Sequence, residues 1–124
     1  MLPTFIFSFF NLVAVLFQLA LALGAPWGEY AMGGKYPGKF PTTIRVAAVI
    51  QLLILAFFGM IGLIRSGLIL GSFYDFSTNA IWFVVGFFVL GTIMNLITPS
   101  KKERNIWAPI TFILLLSSLG IAMS

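Results

Sequence analysis

Four long apolar stretches, separated by polar breaks, set the reading of this chain. They run over about residues 4–23, 44–64, 79–98 and 106–123. Within each, hydrophobic residues follow one another continuously, which excludes the alternating pattern of a transmembrane β-barrel. Each stretch is near the ~20 residues that cross a hydrocarbon core of ~30 Å as an α-helix. Lipid offers no partner to backbone N–H and C=O groups, so a spanning segment has to be helical. The pattern predicts an all-α protein, a four-helix transmembrane bundle of antiparallel up-down topology, forming one integral membrane domain over residues 1–124.

Composition strengthens that reading. Hydrophobic residues make up 60% of the chain and charged residues 8%, against roughly 25% charged in soluble domains. Ala20-Leu21-Ala22 has the small-x-small form of a signal-peptide cleavage site. No Lys or Arg precedes the first apolar run, however, and the run is longer than the ~7–15 residues of a signal h-region. It is read as a mature helix.

Charge supplies the orientation. Of the seven basic residues, Lys35, Lys39, Arg45, Lys101, Lys102 and Arg104 fall in or beside the first and third loops, and only Arg65 falls on the other side. Cytoplasmic loops carry the excess of Lys and Arg, so a multi-pass protein of the cell membrane is expected, with loops 1 and 3 cytoplasmic and both termini outside. That strong bias also disfavours a dual-topology dimer. The net charge of +4 is explained by topology; nucleic-acid binding needs a continuous basic face, which is absent.

The chain has no Cys and no His, and its acids are Glu29, Asp75 and Glu103. Thiol chemistry, Cys or His metal sites and His-based acid/base catalysis are therefore excluded. No paired-carboxylate spacing, metal-ligand cluster or nucleophile motif stands out. The chain reads as non-enzymatic, with the enzyme question left open, and no cofactor is expected.

Polar residues inside the apolar stretches gather near one depth. Gln18, Gln51, Asn95 and Thr111 all fall within roughly 10 Å of the cytoplasmic boundary at ~1.5 Å rise per residue. An unpaired amide is costly in lipid, so these groups should face one another. Ser8, Asn11, Val15, Gln18 and Ala22 share a face of the first helix, and Ala48, Gln51, Leu55, Gly59 and Gly62 a face of the second. Small and polar residues at that spacing form helix–helix seams. Two readings stay open: the amides glue the bundle, or they line a pocket opening to the cytoplasm. Phe5, Phe57, Phe83 and Phe87 are expected to cover lipid-facing surface or fill gaps.

The first loop, GAPWGEYAMGGKYPGKFP over residues 24–41, carries five Gly and three Pro. Gly permits positive φ and Pro fixes turns, so a folded connector packed on the bundle mouth is expected. Trp27, Tyr30 and Tyr36 suit the interfacial belt. No phosphate-loop motif is present. In the third loop, Ser100 and Glu103 have the S-x-x-E spacing of a capping box. Glu103 alternatively pairs with Arg45 or Arg104. Trp107 is an interfacial anchor, and Pro109 is placed in the first turn of the fourth helix.

Ala25-Pro26-Trp27-Gly28, Gly33-Gly34, Pro37-Gly38 and Pro41, with Asn95, Ser100, Glu103-Arg104, Trp107 and Pro109, carry a resemblance. On these the chain resembles uncharacterised small four-helix bacterial integral membrane proteins. The resemblance implies the same fold and carries no activity.

The functional expectation is a small polytopic membrane protein that binds a lipid, a small amphiphile or a partner helix at a cytoplasmic polar mouth. The candidate mouth residues are Gln18, Trp27, Glu29, Arg45, Gln51, Asn95, Glu103, Arg104 and Trp107. Basic groups are expected to hold an anionic headgroup. The alternative is a small-molecule transporter or facilitator without an intramembrane carboxylate, since all three acids are placed in loops and proton coupling commonly uses an intramembrane one.

Overall fold

A computed structural model describes residues 2–124. Four long helices account for most of the chain: α1 (Leu2–Leu23), α2 (Thr42–Arg65), α3 (Tyr74–Ile97) and α4 (Lys101–Met123). Short 3-10 turns at Gly28–Tyr30, Met32–Gly34 and Gly71–Phe73 complete the regular structure, and no strand occurs among the described residues. All four long helices are long and apolar enough to cross a membrane.

The helix ends are set by local hydrogen bonding more than by hydropathy. After α1 the amide of Gly24 donates to Leu21 O and that of Ala25 to Ala20 O; after α2 Gly67 donates to Ile64 O and Leu68 to Leu63 O. Both pairs are Schellman closures, with Gly24 (φ 100°) and Gly67 (φ 79°) in the left-handed conformation that glycine accepts without a Cβ penalty. The other two helices start earlier than their apolar stretches. In α3, Ser77 Oγ donates to Tyr74 O at 2.6 Å and Thr78 Oγ1 to Asp75 O at 2.7 Å. These bonds let polar residues join the first turns, where Asp75 also meets the positive end of the helix dipole. In α4, Ser100 Oγ accepts from the Glu103 amide at 3.2 Å, so the helix begins at Lys101. Pro109 consequently sits in the interior of α4 and not in its first turn. Its missing N–H leaves the carbonyl of Asn105 without the usual partner.

The packing builds a bundle in which α1 lies against α2, α3 against α4, and α1 against α4, with α2 and α3 in looser contact. Its centre is filled by Phe7, Ile81, Val84, Phe88, Leu114 and Ile121. Phe7 meets Phe88 edge-on at 6.0 Å, and Phe58 meets Phe87 at 4.9 Å. The α1–α2 seam follows the small and polar faces expected of it. Asn11 Nδ2 donates to Leu55 O at 2.9 Å. A Cβ at Gly59 would stand 2.8 Å from that nitrogen, and one at Gly62 3.0 Å from the Phe7 ring. Glycine at both positions lets the helices close around one interhelical bond.

Two ends of the bundle can be told apart. At one, Thr4 and Ser66 hydroxyls bond at 2.6 Å. There Arg65 donates to Ser124 O at 2.5 Å, to Ala122 O at 3.4 Å and to the Tyr74 hydroxyl at 3.1 Å. Its guanidinium thus covers open carbonyls at the negative end of α4. At the other end the first loop folds over the bundle, burying Ala31 and Phe40 with Leu21 and Ala48. The outer surface is strongly apolar: Phe5 is 64% and Phe83 81% exposed, as a lipid-facing surface requires. Phe87 instead joins the interior aromatic cluster.

Candidate functional site

The end covered by the first loop holds a cavity of about 720 Å³. Its floor is Ala14, Leu55, Phe88 and Leu114, the point where the packed core begins. Its walls include Gln18 of α1, Gln51 of α2, Asn95 of α3, and Glu103, Trp107 and Thr111 of α4. Its roof is Tyr30, Met32, Gly33 and Phe40 of the first loop, with Thr98 and Pro99. Leu90, Met94 and Ile97 of α3 line it too while remaining 58%, 59% and 75% exposed. The cavity is therefore open sideways along α3, next to the loosely packed α2.

The four polar residues expected at one depth do share one space, but they do not bond to one another. Asn95 Nδ2 donates to Gly91 O at 2.8 Å and Thr111 Oγ1 to Trp107 O at 2.7 Å, both within their own helices. Among the described residues, the amides of Gln18 and Gln51 have no hydrogen-bond partner. Interhelical glue is supplied elsewhere, by Asn11 and by Thr4 with Ser66. Sequence spacing gives the face of a helix, not whether the facing helices come close enough to bond.

Glu103 departs most from expectation. It lies in the first turn of α4, not in a loop, and is 8% exposed. The Ser100 half of the capping box forms, but the return bond from Glu103 to the Ser100 amide does not; that amide meets Thr98 Oγ1 at 3.3 Å. The carboxylate turns inward, where Oε2 accepts from the Gly33 amide at 3.4 Å. Neither expected arginine pairs with it. Arg45 Nε donates to Phe40 O at 3.0 Å, and an Arg104 guanidinium nitrogen donates to Thr98 O at 2.9 Å. Each guanidinium makes one bond to a chain carbonyl, which anchors the loops to the helices, and the Arg104 Nε is buried without a partner among the described residues.

The roof is held by a small polar lattice. Ser100 Oγ donates to Glu29 O at 2.6 Å, and Lys102 pairs with Glu29 at 2.6 Å. Met32, Gly33 and Gly34 all have positive φ (51°, 68° and 74°). That left-handed run turns the Gly33 amide toward Glu103, since successive amides in such turns form concavities that hold anions. Gly28 is required by contact: a Cβ there would fall onto Tyr36 O and within 2.6 Å of Gly38 O.

Of the nine candidate residues, Gln18, Gln51, Asn95, Glu103 and Trp107 line the cavity, and Trp27, Glu29, Arg45 and Arg104 do not. Trp27 stacks on Phe17 at 6.5 Å and borders a smaller adjoining recess with Tyr30 and Trp107. The Trp107 indole nitrogen is buried without an acceptor among the described residues. The basic groups expected to hold an anionic headgroup thus lie outside the cavity, with one guanidinium nitrogen of each arginine bonded to a loop carbonyl. Sequence reading missed the aromatic and apolar lining from Phe17, Tyr30, Met32, Phe40, Phe87 and Phe88. Only the density of aromatics around the first loop hinted at it. Among the described residues no group of acids is placed to hold a metal ion. Comparison with protein-family models, curated proteins and solved structures finds no match to this chain.

Proposed function

We propose that this protein is a non-enzymatic multi-pass membrane protein that binds a lipid or small amphiphile in the cavity beneath its first loop. The observation that carries the proposal is the pairing of unpartnered amides with apolar walls in one concave space. A packing role would consume the hydrogen-bonding capacity of Gln18 and Gln51, and here it is left free. The size is within the ~300–1,000 Å³ of small-molecule sites, which are typically apolar with a few placed polar groups. The sideways opening at Leu90, Met94 and Ile97 suits a ligand arriving from the bilayer, tail along the α2–α3 side and head among the amides. A concave site of this kind favours a small amphiphile over a partner helix. It also favours binding over passage, because the half beyond it is filled by Phe7, Ile81, Phe88 and Ile121.

The bundle is proposed to be antiparallel and up-down, in the cell membrane, with loops 1 and 3 cytoplasmic and both termini outside. The six basic residues at the loop end against Arg65 at the other support that orientation.

Native mass spectrometry of the detergent-purified protein tests the binding. A stoichiometric lipid or small molecule is expected on the wild type and is expected to be lost from Gln51→Leu and Asn95→Leu, with both variants retaining helical content. A clean apo protein under gentle release, with those variants equally stable, would refute the pocket.

A further inference from the structure

We infer that the cavity selects amphiphiles with a positively charged head, an ammonium on an apolar tail. This rests on the binding reading above and adds the charge of the ligand. Among the described residues, Glu103 is the only charged side chain lining the cavity. It is more than nine-tenths buried, and among the described residues no cation lies within ion-pair distance of its carboxylate, whose one bond is the long contact from the Gly33 amide. A carboxylate removed from water and unpaired is costly, and a bound ammonium removes that cost. An anionic head would add a second negative charge to the same low-dielectric space. The two arginines nearest the roof are held by Phe40 O and Thr98 O and are not among the lining residues.

The surrounding side chains fit the same head. Phe17, Tyr30, Phe40, Phe87, Phe88 and Trp107 line the cavity, and aromatic rings attract cations that come within ~6 Å of their faces. The unpartnered amide oxygens of Gln18 and Gln51 add acceptors. The basic residues of loops 1 and 3 repel a cation coming from water. The opening at Leu90, Met94 and Ile97 lets it enter from the bilayer instead. Free lipophilic ammonium ions carry such a head outright; ethanolamine lipids carry the same ammonium at the end of a zwitterionic headgroup, whose phosphate has to sit away from Glu103, toward the basic loops.

Titration of the protein in uncharged maltoside micelles with decyltrimethylammonium, and separately with decyl sulfate, tests this through tryptophan emission, since Trp107 lines the cavity. The ammonium is expected to saturate at a concentration at least about tenfold below the sulfate, a difference of ~1.4 kcal/mol. Glu103→Gln keeps an oxygen for the Gly33 amide and is expected to abolish the preference. A second measurement needs no variant. A hydrophobic carbodiimide is expected to label Glu103 in the wild type, with decyltrimethylammonium protecting and decyl sulfate not. Competition by an ethanolamine lipid identifies a lipid as the source; its failure to compete identifies a free lipophilic cation. Equal saturation by both probes, unchanged in Glu103→Gln, overturns the charge assignment and leaves the binding site standing. No saturable change with either probe overturns both.

Discussion

Glu103 and Gly28 show how much at the loop end depends on single residues. A carboxylate three positions after a capping serine ordinarily folds back on that serine. Here the Ser100 amide is taken by Thr98 Oγ1, and the carboxylate goes to the cavity. Gly28 fixes the loop that roofs it. Its amide donates to Gly38 O at 2.8 Å, and the space its side chain would need is filled by the carbonyls of Tyr36 and Gly38. Backbone cannot move aside as a flexible side chain can. Gly28→Ala is expected to destabilise the fold by about 1–3 kcal/mol, the usual range for overpacking. Limited proteolysis between residues 24 and 41 should accelerate, while cleavage elsewhere stays slow.

The elements meet through their ends as much as through their faces. Ser100 caps α4 and also donates to Glu29 O, so one hydroxyl starts a helix and fastens the loop to it. Ser100→Ala is expected to cost about 1 kcal/mol from the lost cap, read as a lower Tm in detergent. The neighbouring Lys102–Glu29 pair is as short as the Ser100–Glu29 bond, at 2.6 Å, but exposed, at 56% and 39% for the two side chains. Exposed pairs contribute little, and Lys102→Met is expected to leave Tm unchanged. A larger effect of Lys102→Met than of Ser100→Ala would mean that the roof is held by charge and not by the cap. Along the α1–α2 seam the same logic runs through faces: Asn11 finds a carbonyl because Gly59 makes room for it.

At the scale of the molecule, packing is uneven between the two ends. One end is locked by Arg65 on the last carbonyls of α4 and by the Thr4–Ser66 bond. The other is spread around a cavity of about 720 Å³. Concentrating voids at one end leaves the remainder to supply stability through its aromatic core. The proposed orientation has a direct readout. Single cysteines introduced as Lys39→Cys and Leu70→Cys, probed in intact cells with a membrane-impermeant thiol reagent, are expected to be protected and labelled respectively. The reverse pattern would place the cavity's loop end outside.

The sequence by itself determined the four helices, because ~20 apolar residues in lipid admit no other backbone arrangement. It also determined the Ser100 cap and the small-residue face of α2, since each depends on residues a few positions apart; the closures at Gly24 and Gly67 are equally local, but they emerged with the structure. The starts of α3 and α4 were not legible from hydropathy. Polar residues entered those helices once Tyr74 O, Asp75 O and Ser100 Oγ offered them bonds. Only the tertiary structure decided what the polar residues do. Gln18, Gln51 and Asn95 could be placed at one depth from spacing, yet whether they bond or stand apart depends on how α1, α2 and α3 are set around the cavity. Arg45 and Arg104 could be placed near the mouth, yet their carbonyl partners belong to a loop whose path no periodicity records. The side to which Glu103 turns was settled by competition between Thr98 and Glu103 for one amide and by the left-handed turn that presents Gly33.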